Sequence, residues 1–197
     1  MDFVPPVAGS YRLGRIQPAT EGAVLDVDGR RRKLSEFTRG RVTLLAFMYS
    51  SCADPNGCPY ALTVMHLVKN ELEKLPESRG RVRFVSLSFD PVRDTPQVIA
   101  LYGRDGGGAK QHVAWDFLTT RSRRDLLPIL DGFGQDVGVN VDKTTGKPVG
   151  TYSHVLKVFL IDRNGSVREI YTTDYLLPGM VLNDIKTLLM EDGVRLQ

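Results

Sequence analysis

The chain has 197 residues, 42% of them hydrophobic and 25% charged, and a net charge of +3. Those values fit one soluble globular domain and exclude a disordered or fibrous chain. No run of 18 apolar residues is present, which excludes a membrane-spanning helix, and the basic run Arg30, Arg31, Arg32, Lys33 has no nucleic-acid signature.

The first twenty residues are rich in Pro and Gly without periodicity and predict an extended arm. They contain no basic stretch followed by an apolar one, as a secretory leader would. Taken literally this predicts a cytoplasmic protein; it fits equally a fragment whose leader or anchor has been removed. Two strand-like pieces around Asp28-Gly29 predict a hairpin over 23–37. Residues 42–49, VTLLAFMY, form a short apolar run suited to a strand buried on both faces of a parallel sheet.

Cys52 and Cys58 follow directly, and Pro59 stands where a helix takes its first residue. Ala61, Met65, Val68, Leu72 and Leu75 then recur at helical spacing, with Gly80 beyond the end. Residues 82–89 predict a second strand. Thr95 and Pro96 predict the start of a helix over 95–103, and 122–134 a third helix that Pro128 limits or kinks. The polar stretch 134–152 reads as a long loop. A strand over 154–162, a turn at Asn164-Gly165, a strand over 166–171 and a helix over 178–191 complete the chain. The order predicts an α/β fold: a mixed sheet flanked by helices, with an N-terminal β-hairpin. It places the cysteines at the carboxyl end of a buried strand, where open α/β sheets form sites.

The intervening Ala-Asp-Pro-Asn-Gly is turn chemistry that can bring the two sulfurs together. A thiol at the start of a helix is expected to ionise readily, because the helix dipole favours negative charge there. On that reasoning Cys58 reacts faster with alkylating agents than a free thiol. The pair can serve as a structural clip, a redox pair or half of a metal site. Of the three histidines, His66 and His112 sit in contexts that give isolated histidines ordinary structural roles. His154, at the start of an apolar strand, can approach the cysteines if that strand pairs near 42–49. Two thiolates and an imidazole make a soft, mixed donor set. Sulfur favours Cu(I) and nitrogen accommodates Cu(II), whereas zinc accepts the same set with an open position. Donor type alone leaves both metals open.

Three segments together resemble the Sco/SenC family: VTLLAFMYSSC with GCPYA, then VSLSFDPVRDTPQVIALYG, then HVLKVFLIDRNGSVREIY. The resemblance runs from about residue 20 to 190. It implies a thioredoxin-like fold as a single domain over 21–197, following the arm of residues 1–20. It implies copper as the bound metal, with Cys52, Cys58 and His154 as ligands and Asp90 orienting the site without binding the metal. It further implies a copper metallochaperone for the copper site of cytochrome c oxidase. Its partner is then the copper-bearing subunit or another periplasmic cuproprotein, with a thioredoxin-like reductant. The family is periplasmic and tethered to the inner membrane, and no tether is visible in this chain. One departure concerns the cysteines: five residues separate them here where the family has three, which bears on copper affinity more than on fold.

The competing reading is a thiol–disulfide oxidoreductase using Cys52 and Cys58 as its redox pair. The spacing is not C-x-x-C, and Val155 follows His154 where a thioredoxin would have its proline. A peroxidase of the peroxiredoxin type is disfavoured. Tyr49 and Pro55, not threonine, stand three positions before the cysteines.

Overall fold

An unbroken apolar run can satisfy its backbone and bury both faces only inside a sheet, and Val42–Met48 does so, with all seven residues buried. The structure is a computed structural model that describes residues 4–104, 111–145 and 148–196. In chain order its elements are β1 (Gln17–Pro18), β2 (Ala23–Leu25), β3 (Arg31–Lys33), α1 (Ser35–Thr38), β4 (Val42–Met48), α2 (Cys58–Glu73), β5 (Val82–Ser88), α3 (Pro96–Tyr102), β6 (Ala114–Leu118), α4 (Arg123–Phe133), β7 (Val137–Val141), β8 (Pro148–His154), β9 (Val158–Ile161), β10 (Ser166–Tyr171) and α5 (Pro178–Glu191).

The main sheet has the order β1-β10-β9-β4-β5-β6. β4, β5 and β6 are parallel, while β9 runs antiparallel to β4 and β10 antiparallel to β9. Side chains alternate across it. Leu44 and Ala46 join the core under α2 and α5, with Met65, Leu72, Ile185 and Leu188. Leu45 and Phe47 point the other way, toward Phe37 and the α4 residues Ile129, Leu130 and Phe133. Both faces of the sheet are therefore covered. The predicted hairpin is present as β2 paired with β3, and the turn at Asn164-Gly165 joins β9 to β10, with Gly165 at φ +82°.

Four expectations are corrected. Residues 114–118, unassigned from sequence, form β6 at the sheet edge; they bury Trp115 and Phe117 while Ala114 and Asp116 are only partly covered. The stretch 134–152 is not one long loop: its described residues include β7 and β8, an antiparallel pair with Val137 opposite His154. His154 therefore closes β8, and the next strand begins only at Val158. Pro128 does not end α4, which runs on to Phe133 and stops where Gly134 takes the left-handed conformation.

The N-terminal segment is fastened along its length. The Gly9 N–H donates to Thr187 Oγ1 (2.9 Å), and the Tyr11 hydroxyl donates to the buried Asp184 (2.5 Å), which also accepts from Tyr171 (2.6 Å). Arg168 donates to the Leu13 and Gly14 carbonyls and is held in turn by Asp162 and Glu191. Among the described residues no helix is long and apolar enough to cross a membrane.

Candidate functional site

β4 delivers the chain to the carboxyl edge of the sheet, where Tyr49 is buried at its end. The chain then turns. The Cys52 N–H donates to the Tyr49 carbonyl (3.2 Å), Asp54 accepts from the Asn56 N–H (3.0 Å), and the Gly57 N–H donates to the Asp54 carbonyl (3.0 Å). Gly57 caps α2, so Cys58 is the first residue of the helix. Both cysteines are free thiols, Cys52 half-buried and Cys58 only 1% exposed. The Cys52 sulfur lies close enough to the Tyr49 hydroxyl and to the Cys58 thiol to raise the pKa of both.

The expected acidic Cys58 is not what this geometry produces. Burial pushes its thiol up to about 12, the nearby Cys52 adds to the rise, and the Tyr49 backbone only partly opposes it. A thiolate at a helix start gains from the dipole only while water or a counter-charge supports it. Here desolvation outweighs the dipole. Tyr49 is likewise pushed up to about 12, by burial and by the nearby Cys52.

His154 lies on the adjoining wall. Its ring packs against Phe89 (5.0 Å between centroids) and Tyr49 (6.1 Å), and Tyr152, on the same face of β8, reaches Tyr49 (5.2 Å) and Phe89 (5.5 Å). Both ring nitrogens are buried without a hydrogen-bond partner. Burial lowers the imidazole pKa, while the Tyr152 backbone and Asp54 pull it the other way. A neutral ring with two unpartnered nitrogens is an expensive thing to bury, and it is the protonation state that ligates metals. The structure thus brings Cys52, Cys58 and His154 around one aromatic partition, Tyr49 and Phe89. It does not gather them on a common point: among the described residues no three His, Cys, Asp or Glu side chains are placed to hold an ion.

Asp90, 1% exposed, pairs with Arg93 (3.2 Å) through one oxygen and leaves the other buried and unpartnered. Its carboxylate lies close enough to Tyr152 to add to the burial that raises that hydroxyl's pKa, and Arg123 donates to the same hydroxyl (3.1 Å). Asp90 therefore buttresses the aromatic wall that carries His154. His66 and His112 stay away from this site. His66 packs on Trp115 (4.7 Å), and His112 bonds Glu73 (2.9 Å) and Ser78 (2.8 Å).

Asp94 was not legible as a site residue. From the sequence either Asp94 or Thr95 could cap the following helix, and Thr95 is the one that does. Asp94 is instead 1% exposed and accepts from the Ser50 N–H (3.0 Å), the Ser50 hydroxyl and the Ser88 hydroxyl (2.5 Å), while Ser88 Oγ accepts from the Asp90 N–H (3.0 Å). One carboxylate ties the ends of β4 and β5 to the turn between β5 and α3, two residues before Cys52. The only trace of this in the sequence is two serines at the ends of apolar strands, a pattern too common to single out.

A parallel β4-α2-β5 unit, antiparallel β9-β10 strands on its other side and two cysteines where β4 enters α2 define a thioredoxin-like protein with its cysteine pair at the strand-to-helix junction. The SCO1/SenC family model matches residues 23–190, and the chain belongs to that family. Among solved structures it is similar to apo Sco1 of Thermus thermophilus (24% identity, 93% of this chain and 98% of that one, TM-score 0.72) and to copper-bound ScoI of Bradyrhizobium japonicum (21%, 86% and 98%, 0.67). It is also similar to BsSco, described as carrying a disulfide switch and as a member of the Sco family of cytochrome c oxidase assembly proteins (21%, 91% and 98%, 0.66). No curated protein sequence matches the chain.

Proposed function

We propose that this protein is a copper metallochaperone. It holds copper through Cys52, Cys58 and His154 and delivers it to the copper-bearing subunit of a cytochrome c oxidase or to another extracytoplasmic cuproprotein. The observation that carries this reading is the donor set itself: two free thiols at one strand-to-helix junction, close enough that Cys52 raises the Cys58 pKa, beside an imidazole whose two buried nitrogens have no hydrogen-bond partner. The soft pair suits Cu(I), for which two sulfurs suffice, and the imidazole extends the set to Cu(II). Family membership and the copper-bound relative support copper over zinc. The three donors are not gathered on one point among the described residues, so a copper ion held by all three would need His154 and the Cys52 turn closer together.

The test is a copper titration of the fully reduced protein. One copper per chain is expected, with thiolate-to-Cu(II) charge-transfer bands that vanish in Cys52→Ser and Cys58→Ser. His154→Ala should weaken Cu(II) binding more than Cu(I) binding; equal loss of both, or no loss, removes His154 from the site.

A second reading is favoured by the proximity of the two sulfurs: a thiol–disulfide oxidoreductase that reduces a target's cysteine pair. Cys52, the more exposed, attacks the target disulfide, and Cys58 resolves the mixed disulfide. This chain is thereby oxidised by two electrons, and a thioredoxin-like reductant restores it. Rapid reversible disulfide formation without copper binding would select this reading.

A further inference from the structure

The sequence carries the same four residues before each of its two long parallel strands: Arg39-Gly40-Arg41-Val42 ahead of β4 and Arg79-Gly80-Arg81-Val82 ahead of β5. Val42 pairs in register with Val82, so the two turns lie side by side, and the Val42 N–H donates to the Arg81 carbonyl (2.8 Å). Gly40 (φ +82°) and Gly80 (φ +69°) take the left-handed conformation that lets both turns reverse sharply. A third turn joins them. The Gly40 N–H donates to the Arg163 carbonyl (2.7 Å), and the Arg39 side chain crosses Gly165.

The result is five arginines on one pole. Arg41, Arg81 and Arg163 line a shallow cavity of about 130 Å³ whose one acid, Asp192, pairs with Arg163 (3.1 Å). Arg39, Arg79 and Arg81 are exposed, and these three with Arg41 make no ion pair among the described residues. The nearest other acids along the chain are Asp162, which is buried and paired with Arg168, and Glu77, which is only partly exposed. This pole is at the amino ends of β4 and β5. The cysteines are at the carboxyl end, roughly 20 Å away along a seven-residue strand.

From this placement we propose that the arginine pole docks on an anionic phospholipid surface, leaving the cysteine site facing away from the bilayer. The charges sit on three separate turns and spread beyond the one small cavity that Arg41, Arg81 and Arg163 share. No large hydrophobic side chain on these turns is exposed. A protein interface draws on apolar and aromatic anchors at its centre, whereas a lipid surface needs only clustered basic side chains. The proposal does not rest on the copper reading, because the pole and the cysteines share no residue.

The experiment is co-sedimentation of the whole chain with vesicles of phosphatidylcholine containing about one-third phosphatidylglycerol, at low salt and again near physiological salt. Wild type should bind these vesicles and not pure phosphatidylcholine. Arg39→Gln/Arg41→Gln/Arg79→Gln/Arg81→Gln should lower the partition coefficient at least 100-fold, since each basic residue at such a surface contributes about fivefold. Arg12→Gln/Arg15→Gln/Arg30→Gln/Arg31→Gln removes the same charge elsewhere and should change it less than tenfold. Equal losses in the two quadruple variants would mean that net charge alone drives binding, and would overturn the proposal. So would wild type that ignores the vesicles, including one that binds an acidic polypeptide instead. Phenylglyoxal footprinting of wild type keeps the test open should the pole variant misfold. Vesicles should protect Arg39, Arg79 and Arg81 and leave Arg12 and Arg15 reactive; the reverse pattern refutes the docking face.

Discussion

Replacing Asp94 with alanine tests the claim that one buried carboxylate fastens the cysteine turn. The change removes the acceptor of three hydrogen bonds, from the Ser50 N–H, the Ser50 hydroxyl and the Ser88 hydroxyl. A buried donor left without a partner costs about 1–3 kcal/mol. Ser88 is fully buried and bears that penalty, whereas Ser50 is only half-buried and water can recover part of its loss. The sum is a destabilisation of about 3–5 kcal/mol, to be read by urea unfolding of the reduced protein with its m-value held constant. The corresponding fall in melting temperature is about 6–20 °C for a chain of this length. Asp94→Asn keeps one acceptor oxygen and should lose about half as much. Under native conditions both variants should also bind copper more weakly than wild type, because Ser50 is the fixed point from which the turn to Cys52 departs. A loss below about 1 kcal/mol in Asp94→Ala would refute the reasoning, because it would show that the buried carboxylate does not fasten the turn.

Further expectations concern the thiols and the aromatic wall. Iodoacetamide at pH 8 should label Cys52 well before Cys58, because Cys58 is 1% exposed and its thiol is pushed up to about 12; mass spectrometry of partially labelled protein decides, and equal rates would contradict the burial argument. Since Cys58 is protonated near neutrality, copper uptake has to displace its proton. The apparent Cu(I) affinity should therefore climb at least tenfold per pH unit between pH 6 and 8, the Cys58 proton alone supplying that factor, as measured by competition with a chelator of known proton behaviour. The raised Cys58 value also carries a sign for stability. The folded state holds the proton more tightly than the unfolded chain, so this contribution is complete below the ordinary thiol value of 9.0 and is lost as pH rises toward about 12. Alkaline unfolding of Cys58→Ala should show a shallower decline over that window than wild type does.

What the sequence made legible follows from range. β4 and α2 were readable because their signals are local: an unbroken apolar run, and apolar residues on one helical stripe below Pro59. Thr95 was recognised as a helix cap for the same reason, since its partner Val98 is three residues away. β6 escaped because Ala114 and Asp116 are poor strand formers and only its pairing with β5 makes it a strand. The β7-β8 hairpin escaped because Gly138, Asn140 and Gly150 read as turn residues, and its register is set by partners across the hairpin. The Asp94–Ser50 bond spans 44 residues, which no local pattern encodes. The Cys58 thiol shows a different limit. The helix start was visible, but the depth at which the sulfur lies, and hence which of two opposing effects wins, is a property of the packed core.

The fastening of the N-terminal segment has a consequence for synthesis. Gly9, Tyr11, Leu13 and Gly14 find their partners in Arg168, Asp184 and Thr187, between 154 and 178 residues further along the chain. At about 5–20 residues per second a ribosome takes roughly 10–35 s to cover that distance. Throughout that interval the edge of β10 and the flank of α5 do not yet exist for the segment to bind. The segment is therefore made well before the groups that secure it, and its closure reports that α5 has arrived.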